Sequence, residues 1–189
     1  TDSEDGVSSV VFDGFGRISS LKDPNQNAQD NKNPVNTYEY TYNGQGLLEV
    51  EKNAIGNETT YKYNDELLLE RVRDSANEKT YYEYDSLNRL TKIADDIGTI
   101  EYVYDENGNI TEVREKGLLG VEKIIYREFD SLDRITKYTD YKGREVKYAY
   151  NLSGDLVAMT YPDGTIVSYE YYNDGQVKTM TSKSGGTIY

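Results

Sequence analysis

Cysteine, histidine and tryptophan are absent from this chain, and there are only three prolines and two methionines among 189 residues. Without cysteine there is no disulfide framework and no thiol chemistry, which leaves the redox compartment open. The absence of histidine removes the commonest general base, the familiar nucleophile triads and most zinc sites, so catalysis would have to rest on carboxylates. Long apolar runs are missing too, as are a signal or transit peptide pattern and any helical periodicity of useful length. Basic residues are in deficit: 21 Lys and Arg face 34 Asp and Glu, a formal charge of −13. Phosphate recognition depends on Lys and Arg, so nucleic acid and anionic membrane surfaces are excluded as expected partners. A basic partner and simple solubilisation of an exposed sheet both remain open. Mean hydropathy is −0.81, with 36% hydrophobic residues, low for a two-layer core and better suited to one main layer.

What the chain has in abundance is tyrosine, 20 residues, and they recur in register. Aromatic anchors stand at Phe12, Tyr42, Tyr63, Tyr84, Tyr104, Phe129, Tyr150 and Tyr171, mostly 20 or 21 residues apart, which is the mark of a repeat architecture. In seven of the eight units the next residue is Asp or Asn, as in Asp85 and Asp105, with Tyr172 the exception. Asx side chains bond their own backbone in turns. Four residues after the anchor come Gly16, Gly46, Leu67, Asn88, Gly108, Asp133, Gly154 and Gly175, types that tolerate positive φ in every case but Leu67. That spacing predicts a type I turn closed by a G1 bulge, with Asp85 opposite Arg89 and Tyr84 opposite Leu90. The sixth position after each anchor is always aliphatic, so each unit gains an aromatic–aliphatic cross-strand pair worth ~0.2–1 kcal/mol.

Two residues before the anchor stand Tyr40, Tyr61, Tyr82, Tyr102, Tyr148 and Tyr169, on the anchor's face of the strand. A second turn signal lies fourteen after the anchor, at Gly56, Asn77, Gly98, Gly143, Gly164 and Gly185, and joins one hairpin to the next. The expected fold is therefore all-β: a repetitive antiparallel hairpin meander forming an extended, twisted or curved sheet strip. One position resists this scheme. The ninth residue after the anchor, mostly apolar (Leu21, Glu51, Val72, Ile93, Val113, Tyr138, Met159, Met180), falls on the wrong face of a flat strand. Either a bulge re-aims it or both faces are partly covered.

Residues 1–189 are expected to form a single array cut at both ends, with residues 22–37 as a long inserted loop holding Pro24 and Pro34, and residues 115–123 as a smaller insertion. Two open edge strands would favour oligomerisation of such a piece. The repeat positions singled out are Tyr42, Tyr63, Tyr82, Tyr84, Asp85, Leu90, Tyr102, Tyr104, Asp105, Gly108, Tyr148, Tyr150, Gly154, Tyr169, Tyr171 and Gly175.

Units such as Tyr82-Glu83-Tyr84-Asp85 with Asn88-Arg89-Leu90, Tyr102-Val103-Tyr104-Asp105 with Gly108-Asn109-Ile110, and Phe12-Asp13 with Gly16-Arg17-Ile18 resemble the YD repeats of the Rhs family. That family includes polymorphic toxins, the C component of Tc toxins, wall-associated proteins and teneurins. The resemblance covers nearly the whole chain. It implies a non-enzymatic piece of a β-shell that encloses or displays a C-terminal effector domain, in a secreted or cell-surface bacterial protein, with the remaining repeats as partners. The family's self-cleaving Asp-Pro-x-Gly-Leu motif has no counterpart here, since Asp23-Pro24-Asn25 belongs to the loop. No cofactor is implied.

Three further site readings rest on residue types alone. Carboxylate pairs at Asp95 and Asp96, or Glu83 and Asp85, could serve acid–base chemistry or be solvated turn and strand residues. The run Asp105-Glu106-Asn107-Gly108-Asn109 gathers hard oxygen ligands for calcium, or is one more Asx turn. The tyrosine face is an aromatic platform for carbohydrate or a cell-surface receptor if exposed, and a packing layer if covered.

Overall fold

A computed structural model of the chain describes residues 9–22, 37–184 and 187–188. These residues are all β-strand and turn, and their contacts divide them into two units, residues 1–96 and 97–189. Gly185 and the interior of the 22–37 loop lie outside the described residues. The loop's limits do not: Lys22 and Thr37 belong to strands and are direct ladder partners.

The first unit contains β1 (Ser9–Phe12), β2 (Ile18–Lys22), β3 (Thr37–Tyr42), β4 (Leu48–Lys52), β5 (Glu58–Tyr63), β6 (Leu69–Arg73), β7 (Lys79–Tyr84) and β8 (Leu90–Asp95). Within it each strand from β1 to β7 pairs antiparallel with its successor. The second contains β9 (Gly98–Tyr104), β10 (Ile110–Gly117), β11 (Glu122–Phe129), β12 (Ile135–Thr139), β13 (Glu145–Tyr150), β14 (Leu156–Thr160), β15 (Ile166–Tyr171), β16 (Val177–Ser184) and β17 (Thr187–Ile188), again paired in succession. The meander expected from the turn spacing is therefore present in both.

Every anchor-turn hairpin carries the same irregularity. Tyr84 pairs with Leu90, but Glu83 pairs with Lys92 and Tyr82 with Ile93, so Thr91 is an extra residue. The other seven hairpins shift register at the equivalent place. A bulge of one residue resets the pleat for the rest of the strand, and so the sixth and ninth positions share the tyrosine face. This settles the two-way choice left by the sequence. At two bulges the extra residue's hydroxyl bonds back across the ladder, Ser19 Oγ to the Val11 carbonyl and Thr111 Oγ1 to the Val103 carbonyl, both at 3.2 Å.

Two expectations about glycine-like positions need correction. Leu67 does not break the turn: it takes φ 65° like its glycine counterparts, held there by the hairpin on either side. Gly98 is not a left-handed turn residue but the first residue of β9, paired with Gly117. A Cβ at Gly98 would lie 2.3 Å from the Lys116 carbonyl oxygen, so close backbone approach is what requires glycine there. The left-handed residue of the 115–123 insertion is Gly120, at φ 73°, closing a ladder that now runs on to Lys116 opposite Glu122.

Among the described residues none is buried. The tyrosines, their aliphatic partners and the ninth-position residues are mostly half-buried, shielded by neighbours in the same layer, while the opposite face carries exposed residues such as Lys62, Glu83, Val103, Glu128 and Glu170. There is no second layer within either unit's described residues, as the low hydropathy suggested.

Candidate functional site

The repeat's chemistry is concentrated at its turns, after the anchor and between hairpins alike. In the turn after Tyr84, the Asp85 amide donates to the Arg89 carbonyl and the Asn88 amide to the Asp85 carbonyl, both at 3.0 Å. Oδ1 of Asp85 accepts the amides of Leu87 and Arg89, and Oδ2 accepts Arg89 Nε at 2.7 Å. One carboxylate thus satisfies two turn amides and a guanidinium. Asp13 with Arg17, Asp130 with Arg134 and Asp140 with Arg144 repeat the arrangement. These contacts hold the Asp carboxyls below the usual carboxylate range: the partner's backbone amide is the main cause at Asp13 and Asp85, the arginine side chain at Asp130 and Asp140. Where the first residue is Asn, the partner changes to match. Asn151 donates its Nδ2 to Asp155 Oδ2 at 2.8 Å, and Asn43 and Asn64 have Leu47 and Leu68 four residues on.

Two turns begin with tyrosine, at Tyr161 and Tyr172, and keep the same backbone bonds. There the missing Asx is replaced by an aspartate two residues later, Asp163 accepting the Thr165 amide and Asp174 the Gln176 amide.

Five of the anchor tyrosines tie their hairpin to the one before. Tyr84 Oη donates to the Leu69 carbonyl at 3.0 Å, and Tyr42, Tyr63, Tyr150 and Tyr171 reach Ile18, Leu48, Ile135 and Leu156 in the same way. The acceptor is always the sixth-position aliphatic of the preceding repeat, which lies beyond the last paired residues of that ladder. Burial pushes the Tyr63 and Tyr84 hydroxyls up, so they remain protonated donors. Arginines of the turn clamps add a second link: the Arg17 guanidinium lies 4.2 Å from the Tyr42 ring centre, and that of Arg134 lies 4.6 Å from Tyr150.

The remaining singled-out positions fall into place around these links. Tyr82, Tyr102, Tyr148 and Tyr169 stand two residues before their anchors, opposite Ile93, Val113, Met159 and Met180. Leu90 opens β8, and Gly108, Gly154 and Gly175 take φ between 83° and 93°. Tyr104 closes β9 opposite Ile110.

Residues 84–117 and 129–166 match the RHS Repeat family model. These two stretches of the chain carry RHS repeats. No curated protein sequence matches it. Among solved structures it resembles a chain of the Tc holotoxin pore of Photorhabdus luminescens, at 14% identity and a TM-score of 0.72 over 97% of the chain. It is also similar to a complex named TcdB2-TccC3-TEV (10% identity, TM-score 0.53, 92% coverage) and to TcdB2-TccC3 lacking a hypervariable C-terminal region (11%, 0.53, 97%). These likenesses concern the fold. The chain spans 11–13% of the length of those proteins.

The RHS-repeat turns absorb the residues that suggested other chemistry. Asp105 Oδ1 accepts the amides of Asn107 and Asn109, its Oδ2 accepts Asn109 Nδ2, and both asparagines donate to Asp133 Oδ1 at 2.8 and 2.7 Å. Both carboxylate oxygens of Asp105 are thus engaged in their own RHS turn, and among the described residues no group of three acidic side chains is placed to hold a metal. Glu83 points to the exposed face, paired with Lys92, while Asp85 is in its turn clamp. Asp95 ends β8 and Asp96 lies in the next turn.

The tyrosine hydroxyl link and the arginine clamp are the functional features that reading residue types missed. The clamp left a signal: Arg stands four residues after the Asp that opens a turn at Asp13, Asp85, Asp130 and Asp140, and never four after an opening Asn. The hydroxyl link left none, because Tyr and Phe anchor a hairpin equally well.

Proposed function

We propose that this chain is one stretch of a repeat array, spanning residues 1–189 in sequence, whose work is to form part of a β-shell around, or a display for, an effector domain encoded elsewhere in the full protein. The observation that carries this reading is the one-layer sheet with hydroxyl links from five of the repeats to the one before. Such a sheet makes wall rather than a core, and can be extended by adding units. The fold shared with pieces of Tc toxin structures supports it, as does the mention of a hypervariable C-terminal region in one of those proteins. On this reading the segment is not an enzyme, its partners are the other repeats and the effector domain, and the protein acts outside the cell that makes it.

Limited proteolysis of the full-length protein tests the proposal. An enclosed C-terminal domain is cut only after the repeats are unfolded; a domain released at once from the folded protein would contradict enclosure. A second reading, surface adhesion or carbohydrate binding through the tyrosines, is favoured by one observation, that no layer covers their face within either unit's described residues. Glycan-array hits lost on replacing Tyr61 and Tyr82 by Ala would support it, and an array without hits would remove it.

A further inference from the structure

One repeat breaks its own rule on the tyrosine face. The ninth position after the anchor is apolar in seven of the eight repeats and is a carboxylate only at Glu51. Glu51 lies in the middle strand of β3, β4 and β5, directly opposite Tyr40 on one side and Thr59 on the other. Its Oε2 accepts the Tyr61 hydroxyl at 3.1 Å. Tyr40 and Tyr61 are both pushed up, by burial first and then by the Glu51 carboxylate, so the charge is felt on both sides. Yet among the described residues no lysine or arginine pairs with Glu51, whereas Glu58, Glu70, Glu83 and Glu128 on the other face all have cations.

A half-buried carboxylate among tyrosines, with one neutral hydrogen bond and no counter-ion, loses the packing an aliphatic residue would give and part of its own hydration. Departures of this kind from local rules mark functional positions. The environment has a definite complement: an ammonium group, which can donate hydrogen bonds to Oε1 and Oε2 of Glu51 while its methylenes lie along the tyrosine rings.

We infer that Glu51 with Tyr40 and Tyr61 forms a binding site for the ammonium group of a lysine side chain on an extended peptide lying across the tyrosine face. A chain of formal charge −13 attracts such a basic segment over distance, and the uncovered face admits it. The site is independent of whether the array encloses an effector domain.

The test is an NMR titration of the 189-residue chain with Nα-acetyl-lysine N-methylamide, with the norleucine analogue and choline as comparison ligands. The lysine derivative should bind saturably in the millimolar range, and the norleucine analogue at least about tenfold more weakly. Glu51→Val, which restores the residue type of Val72, should abolish binding and raise the melting temperature, and Glu51→Gln should abolish binding with the Tyr61 bond retained. Choline carries the charge but no N–H, so weaker binding of choline than of the lysine derivative would support hydrogen bonding to Glu51, and equal binding would overturn it. No saturable binding to the unmodified chain, equal binding of norleucine, undiminished binding by Glu51→Gln, or a lower melting temperature for Glu51→Val would each overturn the inference.

Discussion

At the scale of single residues, the clearest strain in the chain is Leu67. A leucine at φ 65° bears the clash of its Cβ with the following carbonyl, about 1–2 kcal/mol for an L-residue. Leu67→Gly should therefore stabilise the fold by about 1 kcal/mol in urea unfolding, and a loss of stability would show that the half-exposed side chain makes contacts worth more than the strain. The anchor hydroxyl offers a matched pair of tests. Tyr84→Phe removes the bond to the Leu69 carbonyl and should cost about 1 kcal/mol. Phe129 is the one described anchor after the first that lacks a hydroxyl, and the β10–β11 ladder keeps the register of β6–β7, so Phe129→Tyr should reach the Ile110 carbonyl and gain a similar amount. Leu67 also shows why local reading has limits. Propensity argued against a left-handed leucine, but two hairpin strands in fixed register leave that position no other conformation.

At the scale of the element, the hairpin was legible because its signals are local. Asx, left-handed residue and aliphatic partner lie within six residues of one another, and the register they imply is the one observed, from Tyr84 opposite Leu90 onward. The bulge at Thr91 was half-legible. The misplaced apolar ninth position announced that something irregular happens, but a one-residue insertion and a two-sided sheet leave the same trace. Gly98 was misjudged because spacing identifies a glycine without revealing whether it answers to backbone angle or to crowding by Lys116. Turn clamps have a pH signature. The carboxyls of Asp13, Asp85, Asp105, Asp130, Asp140 and Asp163 are all lowered in the folded chain. Folding therefore favours their ionised form, and the stability this brings is complete above the unfolded carboxylate value near ~4 and is lost as pH falls through the lower folded values. Thermal melts should show a steep drop in melting temperature below about pH 4, reduced in Asp85→Asn; a melting temperature flat with pH down to about 2 would contradict the clamps.

At the scale of the whole molecule, each unit holds together without a buried residue among those described, so its stability must be shared among ladders, bulges, hydroxyl links and half-buried tyrosines. Composition pointed to a single layer, yet the links between successive hairpins were invisible in the sequence because they join a side chain to a backbone atom of the preceding repeat. Among the described residues β1 pairs only with β2 and β17 only with β16, and these ladder ends are templates for pairing. Light scattering of the isolated chain should show association that grows with concentration, and a monomer at high concentration would refute edge pairing. The central claim, that repeats of about 21 residues fold as consecutive linked hairpins, is tested most directly by residue-resolved hydrogen exchange. It predicts protection recurring with that period, in the ladders and at the Asx-bonded amides of Leu87, Arg89, Leu132 and Arg134, broken at the exposed tips between them. Protection without that period, or fast exchange at those turn amides while neighbouring ladders stay closed, would contradict it.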